Sequence, residues 1–209
     1  MYVPVLFQPR SFADVREIVQ EHSFATLVGR AFGKMVAAHI PLLWAEPQPG
    51  VFFLEGHVAR GNEIAGALVG GDEPLLAIFQ GPHGYVSSSW YTHENVPTWN
   101  YIAVHVRGRA SILEGDDLRA HLSTMVDQYE EGRDPRFYAG QMDAKSFSAQ
   151  MRGIIGFRMQ VASVEASFKL SQNRNETDFR RVIAALEASG NPLDMALAEA
   201  MKKYSQPKT

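Results

Sequence analysis

Residues 81–106, GPHGYVSSSWYTHENVPTWNYIAVHV, gather the side chains of this sequence best suited to gripping a flat ligand. Trp90, Tyr91, Trp99 and Tyr101 offer stacking surface, and Ser87, Ser88, Ser89, Thr98 and Asn100 place short hydrogen-bonding groups between them. Rings interleaved with hydroxyls and amides are what a planar heteroaromatic ligand needs from its pocket, so the segment predicts a small-molecule site. The same rings can equally fill a β-barrel core, since buried aromatics dominate interiors as well as sites.

Other chemistries find less support. The seven histidines, His22, His39, His57, His83, His93, His105 and His121, show no close zinc-type spacing such as H-E-x-x-H, and the chain has no cysteine to complete a metal site. No metal is therefore expected. Thiolate nucleophiles and disulfides are excluded with the cysteines. The sequence contains no G-x-S-x-G elbow, P-loop or G-x-G-x-x-G, which leaves serine hydrolase, nucleotide hydrolase and dinucleotide-fold readings unsupported.

The elements that must position the aromatic segment follow from periodicity. The 209 residues, 45% hydrophobic and 21% charged, suffice for one sizeable core, and a net charge of −3 argues against an overall nucleic-acid footprint. No apolar run approaches a membrane span and the start lacks a signal-peptide pattern, so a cytoplasmic location is expected. Ser11 caps a predicted helix over 11–22 with Phe12, Val15, Ile18 and Val19 on one stripe. Strands are predicted at 24–30, 35–45, 51–59 and 75–80, the last two separated by the Gly-rich segment GALVGGDEP. Their short connections favour antiparallel neighbours. A long strand at 98–113, a helix at 116–131, a second helix carrying Phe147 and Met151, and a last strand from 154 follow. Two helices, 176–189 and 192–203, close the chain, with Asn175 or Thr177 and then Asn191 as caps. The sum is an α+β class: one domain over 1–209, a β-rich core with helices at both ends and the pair 176–203 packed on it.

Seven blocks of the sequence resemble the PaiB-like family of FMN-binding negative transcriptional regulators. They are MYVPVLF at 1–7, FATLV at 24–28, AAHIPLL at 37–43, LEGHVARGN at 54–62, GPHGYVSSSWY at 81–91, VPTWNY at 96–101 and KLSQN at 169–173. The departures fall at Ser89, where the family carries proline, and around Gly61 and Asn62. The resemblance implies an antiparallel split β-barrel, the FMN-binding fold shared with pyridoxamine-phosphate oxidase-like flavoproteins, working as a homodimer with the flavin in a groove between two barrels.

Flavin mononucleotide needs a phosphate anchor, partners for the polar edge of its ring system and an apolar or aromatic face. Placed on the matched blocks, His57, Arg60 and Asn62 in HVARGN would serve the phosphate, with Lys169 as a second cation. Backbone around Thr26, Leu27, His39, Ile40, Pro41 and Leu42 would meet the ring, Pro41 marking a strand edge. Trp90, Tyr91, Trp99 and Asn100 would close the pocket, from the partner subunit, with the Gln172 and Asn173 amides nearby. No catalytic residue is implied, because the redox chemistry is the cofactor's. Two functions follow: a flavin-dependent oxidoreductase acting on a small-molecule substrate, or a regulator working through DNA or a protein partner. Direct DNA binding is doubtful, since Glu187, Asp194 and Glu199 dilute the charge of Arg174, Arg180, Arg181, Lys202 and Lys203.

Overall fold

A computed structural model describes residues 1–70 and 73–205. Seven strands form one open sheet in the order β2-β1-β5-β6-β7-β4-β3: β1 (Phe24–Ala31), β2 (Lys34–Pro41), β3 (Leu43–Gln48), β4 (Val51–Ala59), β5 (Leu75–Val86), β6 (Thr98–Leu113) and β7 (Ile154–Lys169). The pairings β1–β2, β1–β5, β3–β4 and β4–β7 are antiparallel. Helices α1 (Phe12–Glu21), α2 (Ile64–Gly70), α3 (Gly115–Glu130), α4 (Ala144–Arg152), α5 (Glu176–Ala188) and α6 (Pro192–Tyr204) complete the described α+β architecture. None of the described helices is long and apolar enough to cross a membrane.

The chain divides into two compact units: residues 1–22, 79–105 and 164–209, and residues 23–78 and 106–163. In the first, Ile18, Phe79, Ile102 and Phe168 are fully buried with Val182, Leu186, Leu197 and Met201 of the two C-terminal helices. Ser11 and Asp14 form the capping box of α1, while Asn175 and Asn191 cap α5 and α6, as their positions predict. In the second unit, Leu27, Leu54, Ile64, Leu68, Leu75, Phe157 and Met159 make the core.

Two departures from the sequence reading have physical causes. The stretch 35–45 is two strands, because Leu42 leaves the ladder and gives its amide to the Ser23 carbonyl at 2.9 Å. The Gly-rich segment begins as a helix, α2, although glycine disfavours helices. Small residues let that helix approach β1 closely: a Cβ on Gly29 would lie 2.8 Å from Ala67, and one on Gly66 would lie 2.8 Å from the Phe32 ring. Phe32 and Gly33 both take positive φ in the β1–β2 hairpin, as a two-residue primed turn requires, and the packing of Phe32 on Gly66 holds a bulky residue in that unusual conformation. Gly71 and Asp72 of the segment lie outside the described residues.

The most stringent close approach is at Gly108 in β6, where a Cβ would stand 2.0 Å from the Gln160 carbonyl oxygen of β7. Backbone cannot yield as a side chain can, so Gly108→Ala should destabilise the protein by about 3 kcal/mol or more. Chemical denaturation of the variant would check this, and a midpoint equal to wild type would contradict it.

Candidate functional site

The residues that carry the ligand reading fall into two sets, one in each unit. In the second unit the β1–β2 register places Thr26 opposite His39 and Phe24 opposite Pro41. Alternation sends Leu27, Ile40 and Leu42 into the core, so only their backbone is left for any ligand. Thr26 and His39 point to the open face, with Thr26 Oγ1 3.0 Å from His39 Nδ1, and the Phe24 ring stacks on His39 at 6.3 Å. Because β2 is an edge strand, its outer backbone groups meet no neighbouring strand of the sheet, which agrees with the edge position that Pro41 predicts. β1 by contrast lies between β2 and β5, and its backbone serves both ladders.

HVARGN separates into three environments. His57 is half-buried in a polar chain: its Nδ1 lies 3.3 Å from His121 Nε2, His121 Nδ1 lies 3.5 Å from Glu55 Oε2, and Arg158 Nε donates to Glu55 Oε1 at 2.6 Å. The hydrogen bond from His121 holds the Glu55 carboxyl below its ordinary value; burial opposes this, and the ion pair with Arg158 reinforces it. Burial, then the neighbouring His121, pushes His57 below the usual histidine value. Asn62 caps α2, its Oδ1 accepting from the Ile64 amide at 3.1 Å.

Arg60, the first residue beyond β4, is exposed. Its Nε donates to the Arg152 carbonyl at 2.8 Å and its amide to the Gly153 carbonyl at 3.0 Å, which leaves the outer guanidinium nitrogens to face a groove of about 670 Å³. Arg119 and Arg152 line the same groove, with Ile112, Leu118 and Met151 as apolar wall. None of the three arginines pairs with a carboxylate among the described residues. Glu114 and Asp116 also line it, leaving one net positive charge. The volume lies within the roughly 300–1,000 Å³ of small-ligand and cofactor sites, and an unpaired guanidinium fork suits a phosphate.

In the first unit, a buried carboxylate fixes the aromatic loop. Asp178 Oδ1 accepts from the Thr92 amide at 2.8 Å and its hydroxyl at 2.9 Å, while Oδ2 takes Asn175 Nδ2 at 3.0 Å and stands 3.1 Å from His93 Nδ1. Burial alone would push this carboxyl up; the Thr92 and Asn175 donors and His93 outweigh it and hold it below its usual value. Arg181 Nε donates to the Trp90 carbonyl at 2.7 Å. Trp99 is 55% exposed, stacked on His83 at 6.4 Å and edge-on to Tyr85 at 6.3 Å. Tyr91 is buried, and Arg174 lies 4.5 Å above its ring.

Asn100, expected at a pocket, is wholly buried, donating to Ser171 Oγ at 2.8 Å and to Met201 Sδ at 3.5 Å. Gln172 holds the KLSQN turn shut: its Oε1 accepts from the Leu170 amide at 2.7 Å and its Nε2 donates to the Phe168 carbonyl. Asn173 is exposed. Lys169 Nζ donates to Thr98 Oγ1 at 2.5 Å. Asp178 and Arg174 in the first unit, and Arg119 and Arg152 in the second, belong to none of the blocks singled out in the sequence, and only tertiary contact reveals them.

Residues 1–163 match the family model described as "Putative FMN-binding domain". The chain is 42% identical over 202 residues to the Bacillus subtilis (strain 168) protein named "Protease synthase and sporulation protein PAI 2", covering 97% of each. It is similar in fold to the FAD and heme binding protein from Mycobacterium smegmatis, with TM-score 0.59, 16% identity and 87% and 78% of the two chains covered. The flavocytochrome Anf3 from Azotobacter vinelandii gives TM-score 0.58 at 16% identity, covering 81% and 73%. At such identities the likeness shows the fold: the split-barrel sheet that the sequence resemblance implies.

The Glu55–His121–His57 chain makes stability depend on pH in one direction. A carboxyl held low in the folded state stabilises above its unfolded value and loses this as pH falls through the folded value; a histidine held low disfavours folding once pH drops below its unfolded value of 6.5. Both effects weaken the fold on acidification. Melting temperature should fall between pH 7.5 and 4, and His57→Gln should flatten the part of the profile nearest pH 6.5, as thermal melts across that range would show.

Proposed function

The chain belongs to this FMN-binding domain family, whose cofactor is FMN, and from that premise we propose that it acts as a homodimer holding FMN with Arg60 at the phosphate. The groove that gathers Arg60, Arg119 and Arg152 without carboxylate partners is the observation that carries this reading. Arg60 is oriented for the task from both ends, by its own amide and by its Nε, so little side-chain freedom is lost on binding. Thr26 and His39, with the open edge of β2, would meet polar atoms of the ring system, and Phe24 would cover apolar surface. A second copy would add the exposed Trp99 and half-buried Trp90 and exclude water.

Bound flavin supplies hydride and single-electron transfer, so the reading extends to oxidoreduction of a small substrate. The protein's part is to bind, orient and shield. The relative named for protease synthase and sporulation makes a regulatory role the companion reading. The cations of the C-terminal helices favour an indirect form of it. Arg180 pairs with Glu176, Lys202 with Glu187 and Lys203 with Glu17, which leaves little charge for phosphate contacts on DNA.

Titration of apo-protein with FMN, followed by flavin fluorescence, should show saturable quenching, and sedimentation should give a dimer. Arg60→Gln should weaken binding at least about tenfold, the loss expected for a hydrogen bond between charged groups. Wild-type affinity in that variant would remove Arg60 from the phosphate.

A further inference from the structure

Several cations of the first unit sit beside carboxylates: Arg10 faces Asp14, Lys203 faces Glu17 and Glu21, Arg180 faces Glu176, and Lys202 faces Glu187. Arg181 keeps its charge and donates Nε to the Trp90 carbonyl. Lys169 and Arg174 are exceptions. They flank one turn, neither pairs with a carboxylate among the described residues, and Arg174 Nε is buried with no acceptor. Burial, and then the neighbouring Arg174 charge, hold the Lys169 ammonium below its ordinary value, so the two cations oppose one another in a partly desolvated place. Among the described residues, no carboxylate pairs with either cation.

The turn between them is built with unusual care. Ser171 has φ +65, a conformation that L-residues other than glycine seldom adopt. It is over-determined: Asn100 Nδ2 donates to its hydroxyl, the Arg174 amide donates to its carbonyl at 3.0 Å, and both ends of the Gln172 amide clamp the preceding backbone. Strain retained in this way marks a position whose geometry is used. The turn carries Arg174 to 4.5 Å above the Tyr91 ring and Lys169 to Thr98.

Alternation along the strands puts Thr98 with Asn100 on one face of β6 and Lys169 with Ser167 on one face of β7. Asn100 and Ser167 are wholly buried, and Asn100 Oδ1, Ser167 Oγ and the Tyr91 hydroxyl lack hydrogen-bond partners. Buried polar atoms are almost always satisfied, so these orphans, on the strand faces and the ring that carry the two cations, point to a further polar partner.

We propose that Lys169 and Arg174 form a second anion site, which binds the carboxylate or phosphate of a small ligand other than the flavin's own phosphate. It rests on the assignment of Arg60 to that phosphate and names the substrate class of the flavin protein: an anionic small molecule. Arg174 presents a planar fork preset by stacking on Tyr91, and Lys169 adds a point charge beside it.

The test uses FMN-loaded protein titrated with orthophosphate and with malonate, read by calorimetry and by chemical shifts of the Lys169 and Arg174 side chains. Saturable binding of at least one probe is expected, weakened about tenfold or more in Lys169→Gln and in Arg174→Gln. Lys169→Arg, which keeps the charge, should retain it, and circular dichroism would confirm that each variant is folded. Absence of saturable binding to wild type, or equal binding in both neutral variants, overturns the proposal. If FMN displaces the probes and Arg174→Gln loses FMN as well, the site belongs to the flavin phosphate and the proposal fails. The Arg60 assignment fails separately, by unchanged FMN affinity in Arg60→Gln with probe binding intact.

Discussion

The register of β1 against β2 is the constraint on which the ligand reading depends. Thr26 opposite His39 and Phe24 opposite Pro41 leave a polar pair and an aromatic ring on the open face, while Leu27 and Ile40 reach the core. A slip of one residue would exchange the two faces and bury the polar pair. The hairpin turn at Phe32–Gly33 and the close seat of α2 on Gly29 fix that register from one end. At the other end, the Leu42 amide on the Ser23 carbonyl stops the strand from sliding.

Electrostatics divides the molecule along functional lines. Many surface cations sit beside a carboxylate, where a pair contributes little, about 0–1 kcal/mol each. Arg60 lies with Arg119 and Arg152 in one unit and Lys169 with Arg174 in the other; among these, backbone, turn geometry and ring stacking hold Arg60 and Arg174 instead. Positioning a cation without neutralising it leaves it available to an anion. The His57–His121–Glu55–Arg158 chain is the opposite case: its charges are consumed internally, and it joins α3 to the sheet.

The sequence made the regular elements legible wherever side-chain period and capping agreed. Strands 51–59 and 98–113 have the bounds that alternation and turn residues imply, and Asn175 and Asn191 cap where they should. Composition misled where small residues serve packing rather than turns. GALVGGDEP contains part of a helix, and β5 runs on through Gly81, whose Cβ would stand 3.0 Å from Ile102. The site was legible at the level of blocks and not of roles. His57 and Asn62 share a block with Arg60, yet one is held in a half-buried polar chain and the other bonds the Ile64 amide at the start of α2, which only the partners brought by folding decide. Arg119, Arg152 and Arg174 carry no local signal, since an arginine lacking a carboxylate looks the same in sequence as one that has it.

A crystal structure of the protein grown with FMN would bear most directly on the central claim. The account predicts two copies with the flavin phosphate within hydrogen-bond reach of Arg60 and the ring beside Thr26 and His39. A flavin whose phosphate rests on Lys169 and Arg174, or a groove at Arg60 that stays empty while flavin binds elsewhere, would contradict it.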